Sequence, residues 1–266
     1  MKLLIDAGNT RIKWAFADAD EWLHSEVLPV EQAGELPRFF TGYQGIQQIW
    51  VSNVAGDEIA RHIRNIRAGQ SAQPHFIVAK EAQCGVRNGY SNPSRLGSDR
   101  WAALIAAWHL VHGKCMVVNC GTATTIDTLS GQGEFLGGLI VPGVELMQRN
   151  LFAATDQLNP DNLIVRHSGE DRNDTVLANE LSGLKSTQGE YVPFPKNTAD
   201  AMFSGAVQAS CGAIVRQYAL LGDDSAPVVL SGGAAAVLHQ HLKMPLHVVD
   251  DLVLRGLLLI AQESVE

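Results

Sequence analysis

The sequence predicts an α/β protein made of two related halves that share the element order βββαβαβ. Three observations carry this prediction. A phosphate-handling turn occurs twice, as Asp6-Ala7-Gly8-Asn9-Thr10 after the apolar run Leu3-Leu4-Ile5 and as Asn119-Cys120-Gly121-Thr122-Ala123-Thr124-Thr125 after Met116-Val117-Val118. Each reads as a strand, a tight turn and a second strand, and the elements after the second turn repeat the order of those after the first. At 266 residues the chain exceeds the usual single-domain size, so the halves divide as two domains, 1–112 and 113–266.

In the first half, residues 2 to 17 alternate apolar and polar around the Gly8 turn, and Trp22 to Leu28 supplies a third antiparallel strand. Gln48 to Val54 reads as a strand, Asp57 to Ile66 as an amphipathic helix and His75 to Val78 as a short strand. A long helix from Ser98 to His112 comes next, with Gly113 as its stop. The second half restarts with strands at 115–120, 123–129 and 134–141, then Pro142-Gly143 leads into a helix from Val144 to Ala154. Residues Asp156 to Pro195 are rich in Asn, Asp, Ser, Gly and Pro and read as a long loop with at most a short helix near Thr175 to Leu184. The closing elements are a helix from Ala199 to Leu220, a strand from Pro227 to Leu230, a helix carrying His239 and His241, a strand from Leu246 to Val249 and a helix from Leu252 to Gln262.

Composition limits the function classes. A hydrophobic content of 46% with 18% charge suits a folded chain with a substantial core. The formal net charge of -8, with no basic stretch, argues against nucleic acid as a partner and leaves room for a small ligand in a local positive pocket. Cys84, Cys115, Cys120 and Cys211 show neither close pairing nor metal-ligand spacing, which fits a reducing cytosol. No leader-like segment or bilayer-length apolar run stands out, so a cytoplasmic protein without membrane insertion is expected.

The first loop offers the carboxylate of Asp6, the small backbone of Ala7 and Gly8, the side chains of Asn9 and Thr10, and Arg11, Ile12 and Lys13 on the strand that leaves the turn. Backbone amides, hydroxyls, a lysine and a metal-holding carboxylate are the groups that phosphate binding uses. Gly-Asn is also an ordinary hairpin pair, and threonine is a good strand former, so neither loop alone is specific. Their recurrence at matching places favours a joint role in gripping a nucleotide's phosphates from two sides. A third cluster runs from Tyr90 to Arg100, in which Gly97 and Ser98 place Asp99 and Arg100 at a helix mouth that favours an anion. A plain N-cap at Ser98 or Asp99 would explain less than an acid and a base side by side. Gly137-Gly138, Pro142-Gly143, Lys196-Asn197-Thr198 and Ser231-Gly232-Gly233 are weaker signals, the last at a strand end where open α/β sheets bind ligands. His239 and His241 do not share a helix face and read as surface residues.

Taken together these residues resemble the type III pantothenate kinases, relatives of acetate and sugar kinases, Hsp70 and actin. The resemblance spans nearly the whole chain and rests on Asp6-x-Gly8-Asn9-Thr10, Gly97-x-Asp99-Arg100, Gly121-Thr122-Ala123-Thr124-Thr125, Gly137-Gly138 with Pro142-Gly143, Asn197-Thr198, Ser231-Gly232-Gly233 and Leu252-Val253-Leu254-Arg255-Gly256-Leu257. It implies a duplicated actin-like, ribonuclease H-like fold with the active site in the cleft between the halves. It implies transfer of the ATP γ-phosphate to the primary hydroxyl of pantothenate, the opening step of coenzyme A synthesis. Asp99 would be the catalytic base; Tyr90, Gly97, Ser98, Asp99, Arg100 and Thr198 would bind pantothenate, with Arg100 on its carboxylate. The loop Asp6 to Lys13 and Thr122 would bind ATP, and Asp6 would help to place Mg²⁺. A homodimer completes the pantothenate pocket in this family. Where its members carry an aspartate that helps bind potassium or ammonium, this chain has Asn119, so a monovalent cation is expected to bind more weakly here. Two alternatives remain open on the residues alone: a kinase for another small hydroxy acid, and a non-catalytic nucleotide-binding module.

Overall fold

A computed structural model describes residues 1–18, 21–41, 43, 45–66, 72–154 and 189–264. The first sheet joins β1 (Lys2–Ala7), β2 (Arg11–Asp18), β3 (Glu21–Pro29), β4 (Gln48–Asn53) and β5 (Pro74–Phe76) in the order β3-β2-β1-β4-β5. A short 3₁₀ turn at Val30–Glu35 and the single-turn helix α1 (Leu36–Phe39) follow β3, and α2 (Asp57–Arg64) connects β4 to β5. After the small hairpin β6 (Ala82–Gln83) and β7 (Val86–Arg87), a 3₁₀ turn at Pro93–Arg95 leads into α3 (Ser98–Val111). The second sheet joins β8 (Cys115–Cys120), β9 (Ala123–Leu129), β10 (Phe135–Pro142), β11 (Val228–Ser231) and β12 (Leu246–Val248) in the order β10-β9-β8-β11-β12. Its helices are α4 (Val144–Ala154), α5 (Thr198–Leu221), α6 (Ala235–His239) and α7 (Leu252–Glu263). Strand for strand, the two sheets have one topology: an antiparallel meander, then two parallel additions.

Period-2 side-chain alternation explains how each sheet is covered on both faces. In β1, Leu3, Ile5 and Ala7 point to an outer core with Ile59 and Ile63 of α2, whereas Leu4 points to an inner core. In β8, Met116, Val118 and Cys120 face an outer core with Val207 and Ile214 of α5, whereas Cys115 and Val117 face the same inner core as Leu4. That inner core is filled by α3 and α7, so the layers run helix, sheet, helix pair, sheet, helix. A helix buried all round must be apolar all round, and α3 is so from Trp101 to Ala107. Its crossing with α7 is close because residue 256 is glycine: a Cβ there would lie 1.9 Å from the Ala102 carbonyl oxygen.

Several sequence-based expectations need correction. α3 stops one residue early, with His112 rather than Gly113 as its left-handed cap (φ 47°), its N–H donating to the Trp108 carbonyl. α6 ends at His239, so His241 lies outside it, where its ring packs tilted against Tyr191 at a centroid distance of 3.8 Å. Neither Ser98 nor Asp99 is the N-cap of α3; Gly97 is. The elements at 30–39 and 82–87 carry no periodic signal in the sequence and are additions to the expected order. Most of the loop expected from Asp156 to Pro195, including the short helix near Thr175 to Leu184, lies outside the described residues; residues 189–195 are irregular. Among the described residues no helix is long and apolar enough to cross a membrane.

Candidate active site

The two recurrent loops meet. Thr10 Oγ1 and Thr122 Oγ1 lie 2.6 Å apart, although 112 positions separate them in the chain. Each loop is also braced by backbone hydrogen bonds, which need small residues around it. In the first, Gly8 N donates to Arg11 O at 3.0 Å, and Val30 N and Val54 N donate to Thr10 O and Ala7 O. In the second, Gly121 N donates to Ala123 O and Gly143 N to Thr122 O at 2.9 Å. A Cβ on Gly143 would stand 2.2 Å from Gly121 O, so Pro142-Gly143 is the brace of the second loop. Ser231-Gly232-Gly233 braces it from the other side: Gly232 takes φ +98°, a Cβ there would overlap the Cys120 backbone, and Ala234 N donates to Cys120 O. A Cβ on Gly233 would lie 3.8 Å from the Arg11 guanidinium, so this turn borders the first loop as well.

Within the first loop the residues divide. Ala7 and Ile12 are fully buried in the outer core and can reach a ligand only through backbone. Asp6 and Lys13 sit opposite one another across β1 and β2. Lys13 Nζ donates to Asp251 Oδ1 at 3.1 Å, tying this loop to the residue before α7, which is held in left-handed backbone at φ +54°. Burial, and next the negative charge of Asp99, push the Asp6 carboxyl up to about 7; Lys13 opposes and Asp251 adds to the shift. The charge of Asp99 on α3 is thus felt at Asp6 on β1, so the catalytic candidate and the metal candidate share one electrostatic environment. Burial also raises the Asp99 carboxyl against the opposing Arg100 backbone N–H and Arg100 charge.

The first turn of α3 carries the third cluster. Ser98 Oγ shares a buried hydrogen bond of 3.0 Å with Ser52 Oγ at the end of β4, so its hydroxyl fixes the helix mouth to the first sheet. Asp99 Oδ1 accepts from Arg100 N at 2.8 Å, and a Cβ on Gly97 would stand 2.6 Å from the same oxygen. Arg100, 5% exposed, has partners within the chain for all three guanidinium nitrogens. Its Nε donates to Asp127 Oδ2 at 3.0 Å, its Nη2 to Asp127 Oδ1, and its Nη1 to the Tyr90 hydroxyl at 2.9 Å. Burial disfavours the Arg100 charge, but the Asp127 and Tyr90 bonds outweigh it and hold the guanidinium protonated. The sequence shows Asp127 two residues beyond the threonine run but gives it no role. The signal that could have found it is a charged residue inside an otherwise buried strand, which demands a partner.

Thr198 begins α5, whose N-cap Asn197 accepts from Asp200 N at 2.9 Å. It lines a cleft of about 1060 Å³ with Pro142, Met147, Asn150, Met202 and Asn197; Tyr90, Asp99 and Arg100 are not part of that lining. Asn119 lies on β8 between Thr125 and Ser231, the place that Asp6 occupies between Lys13 and Ser52 in the first sheet. Among the described residues no group of three or more His, Cys, Asp or Glu could hold a metal alone. One carboxylate amid hydroxyls and a surplus of negative charge does suit Mg²⁺, which takes hard oxygen donors and keeps waters and substrate phosphates as its other ligands.

A doubled β-meander fold whose two recurrent loops abut is that of the actin-like class, and with the family match that follows it defines an ATP-dependent small-molecule kinase. The type III pantothenate kinase family model matches residues 2–220, and the chain belongs to that family. It is 42% identical over 267 residues to a type III pantothenate kinase of Nitrosospira multiformis, covering 99% of this chain and 92% of that one. Against a type III pantothenate kinase of Aromatoleum aromaticum it is 40% identical, covering 99% of both. Solved structures below 25% identity share the fold: the ethanolamine utilization protein EutJ of Carboxydothermus hydrogenoformans (TM-score 0.54, 14% identity, 98% and 89% covered) and the activator of 2-hydroxyisocaproyl-CoA dehydratase of Clostridium difficile with bound ADPNP (TM-score 0.51, 12% identity, 98% and 93% covered).

Proposed function

We infer that the chain phosphorylates the primary hydroxyl of pantothenate with the γ-phosphate of ATP, the opening step of coenzyme A synthesis. The observation that carries this reading at the level of residues is the 2.6 Å contact between Thr10 and Thr122, with Asp99 close enough to Asp6 to raise its carboxyl. Phosphoryl transfer depends chiefly on positioning and charge stabilisation. The backbone N–H groups and hydroxyls of the two loops cradle the phosphates, and Lys13 moves from Asp251 toward them. Asp6 is the residue that would hold Mg²⁺, which supplies charge neutralisation on the phosphate oxygens when bound. Asp99, kept poised by burial, accepts a hydrogen bond from the acceptor hydroxyl, aligns it and takes its proton as transfer proceeds.

On the acceptor side, Tyr90, Gly97, Ser98 and Arg100 shape the pocket around α3, with Ser98 acting through its Ser52 bond. Thr198 lines the separate cleft by α5, an arrangement that suits a pocket completed by a second subunit. A homodimer also accounts for β10, an outer strand that exposes Leu136 (60%), Leu139 (41%) and Ile140 (63%), an apolar edge that needs cover. The halves 1–112 and 113–266 act as the two lobes around the nucleotide. A monovalent cation near Asn119 activates the enzyme, at higher salt than an aspartate there would require. ATP assayed with pantothenate and a panel of other hydroxy acids tests the reading: 4'-phosphopantothenate should be the preferred product, and preferred turnover of another acid, or no phosphorylated acceptor at all, would overturn it.

A further inference from the structure

Asp127 is 1% exposed, lies on β9 of the second sheet, and closes both oxygens on the Nε and Nη2 edge of Arg100, which belongs to α3 of the first half. Three further features are built around this pair. The Tyr90 hydroxyl takes an Nη1 hydrogen, and the guanidinium carbon sits 5.7 Å from the Tyr90 ring centre and 5.6 Å from that of Phe135, the first residue of β10. Gly138, opposite Asp127 in the β9–β10 register, leaves the space the carboxylate fills: a Cβ there would stand 2.0 Å from Asp127 Oδ1. Gly138 thus serves the carboxylate, whereas Gly137, at φ +122°, meets nothing within 4 Å and is required by its backbone conformation. A guanidinium has five N–H groups in a fixed plane. The described bonds use three, leaving one N–H on each terminal nitrogen.

We propose that Asp127 is the positioning residue of the acceptor site, holding Arg100 by one edge so that its remaining terminal N–H groups receive the carboxylate of the acceptor. This rests on the pantothenate kinase reading above. The bidentate clamp fixes both the plane and the direction of the guanidinium, which a single contact could not do. It also bolts the first turn of α3, and with it Asp99, to the second sheet. Arg100 and Asp127 cancel one another's charge, so recognition of the acceptor relies on aimed hydrogen bonds more than on net attraction. An acceptor whose carboxylate is replaced by a neutral group should therefore lose part of its affinity in the native protein, and less in a variant whose Arg100 is no longer aimed.

The test is steady-state kinetics on the full chain, with each substrate varied in turn. Asp127→Asn is expected to raise the KM for pantothenate by about tenfold or more, because an amide NH₂ now faces one guanidinium N–H, while the KM for ATP stays within about twofold. Should Asp127→Asn not fold, Asp127→Glu, which keeps the buried charge and Arg100 but moves the carboxylate, serves instead and is expected to raise the pantothenate KM while the KM for ATP stays within about twofold. A merely structural Asp127 would lower Tm and the amount of active enzyme with both KM values unmoved. A native protein that turns over pantothenate while the variants keep its KM, or lower it, overturns this inference alone. A native protein that does not phosphorylate pantothenate overturns the functional reading and this inference with it.

Discussion

The two loops occupy equivalent places in equivalent sheets, yet their chemistry has been divided. In the first, Asp6 stands between Lys13 and Ser52, with Asp99 acting on it. In the second, Asn119 stands between Thr125 and Ser231, and Asp127, two residues beyond Thr125, is neutralised by Arg100. One half presents reactive charge; the other presents amides and hydroxyls. A duplicated frame thus needs few side-chain differences to become an asymmetric site, because backbone braces at Gly143 and Gly232 keep the neutral loop in place without charged partners.

The largest effect expected from disturbing this division is at Asp99. Asp99→Asn should lower kcat by about 10²–10⁴-fold with Tm and nucleotide affinity retained, as removal of a positioned proton acceptor does. Steady-state kinetics beside thermal melts check this, and near-native turnover would take Asp99 out of the reaction.

Asp6 comes next. The folded chain holds its proton up to about pH 7, whereas the unfolded chain releases it near 3.8, so folding disfavours the ionised form. Asp6 therefore costs no stability below about pH 4, costs progressively more as pH rises, and costs its full amount above about pH 7. Asp6→Asn is expected to raise Tm at about pH 8 without Mg²⁺, with a gain that shrinks toward about pH 5. A gain independent of pH would contradict the assignment. Kinase activity should fall in the same variant.

The smallest change makes the loops more alike. Asn119→Asp adds an anionic ligand and should reduce the KCl needed for half-maximal activity, in a sodium background, by about threefold or more. Saturation of the native enzyme at low KCl, with no gain in the variant, would count against the cation reading.

Much of this is legible in the sequence. The doubled meander shows because apolar runs of strand length stop at the same small-residue turns, and Asp6, Asp99, Thr10 and Thr122 stand out by residue type and position alone. The features that escape depend on where separate elements meet. No spacing reveals that Arg100 of α3 and Asp127 of β9 share two hydrogen bonds, so from sequence Arg100 reads as fully available to the acceptor. Pro142-Gly143 and Gly232 look like turns; their need for glycine comes from the backbone of residues 120–122, at the end of β8 and in the turn after it. The caps of α3 mislead for a local reason, since Ser98 looks like an N-cap but bonds to Ser52 in another layer, and His112 accepts a backbone conformation usually given to glycine.

The helix pair between the sheets carries a consequence for biosynthesis. The inner face of the first sheet, whose last strand ends at Phe76, is covered in part by α7, which starts at Leu252. During synthesis, the part of that apolar face which α7 covers stays open until the last residues of the chain have emerged, with α3 its earlier cover.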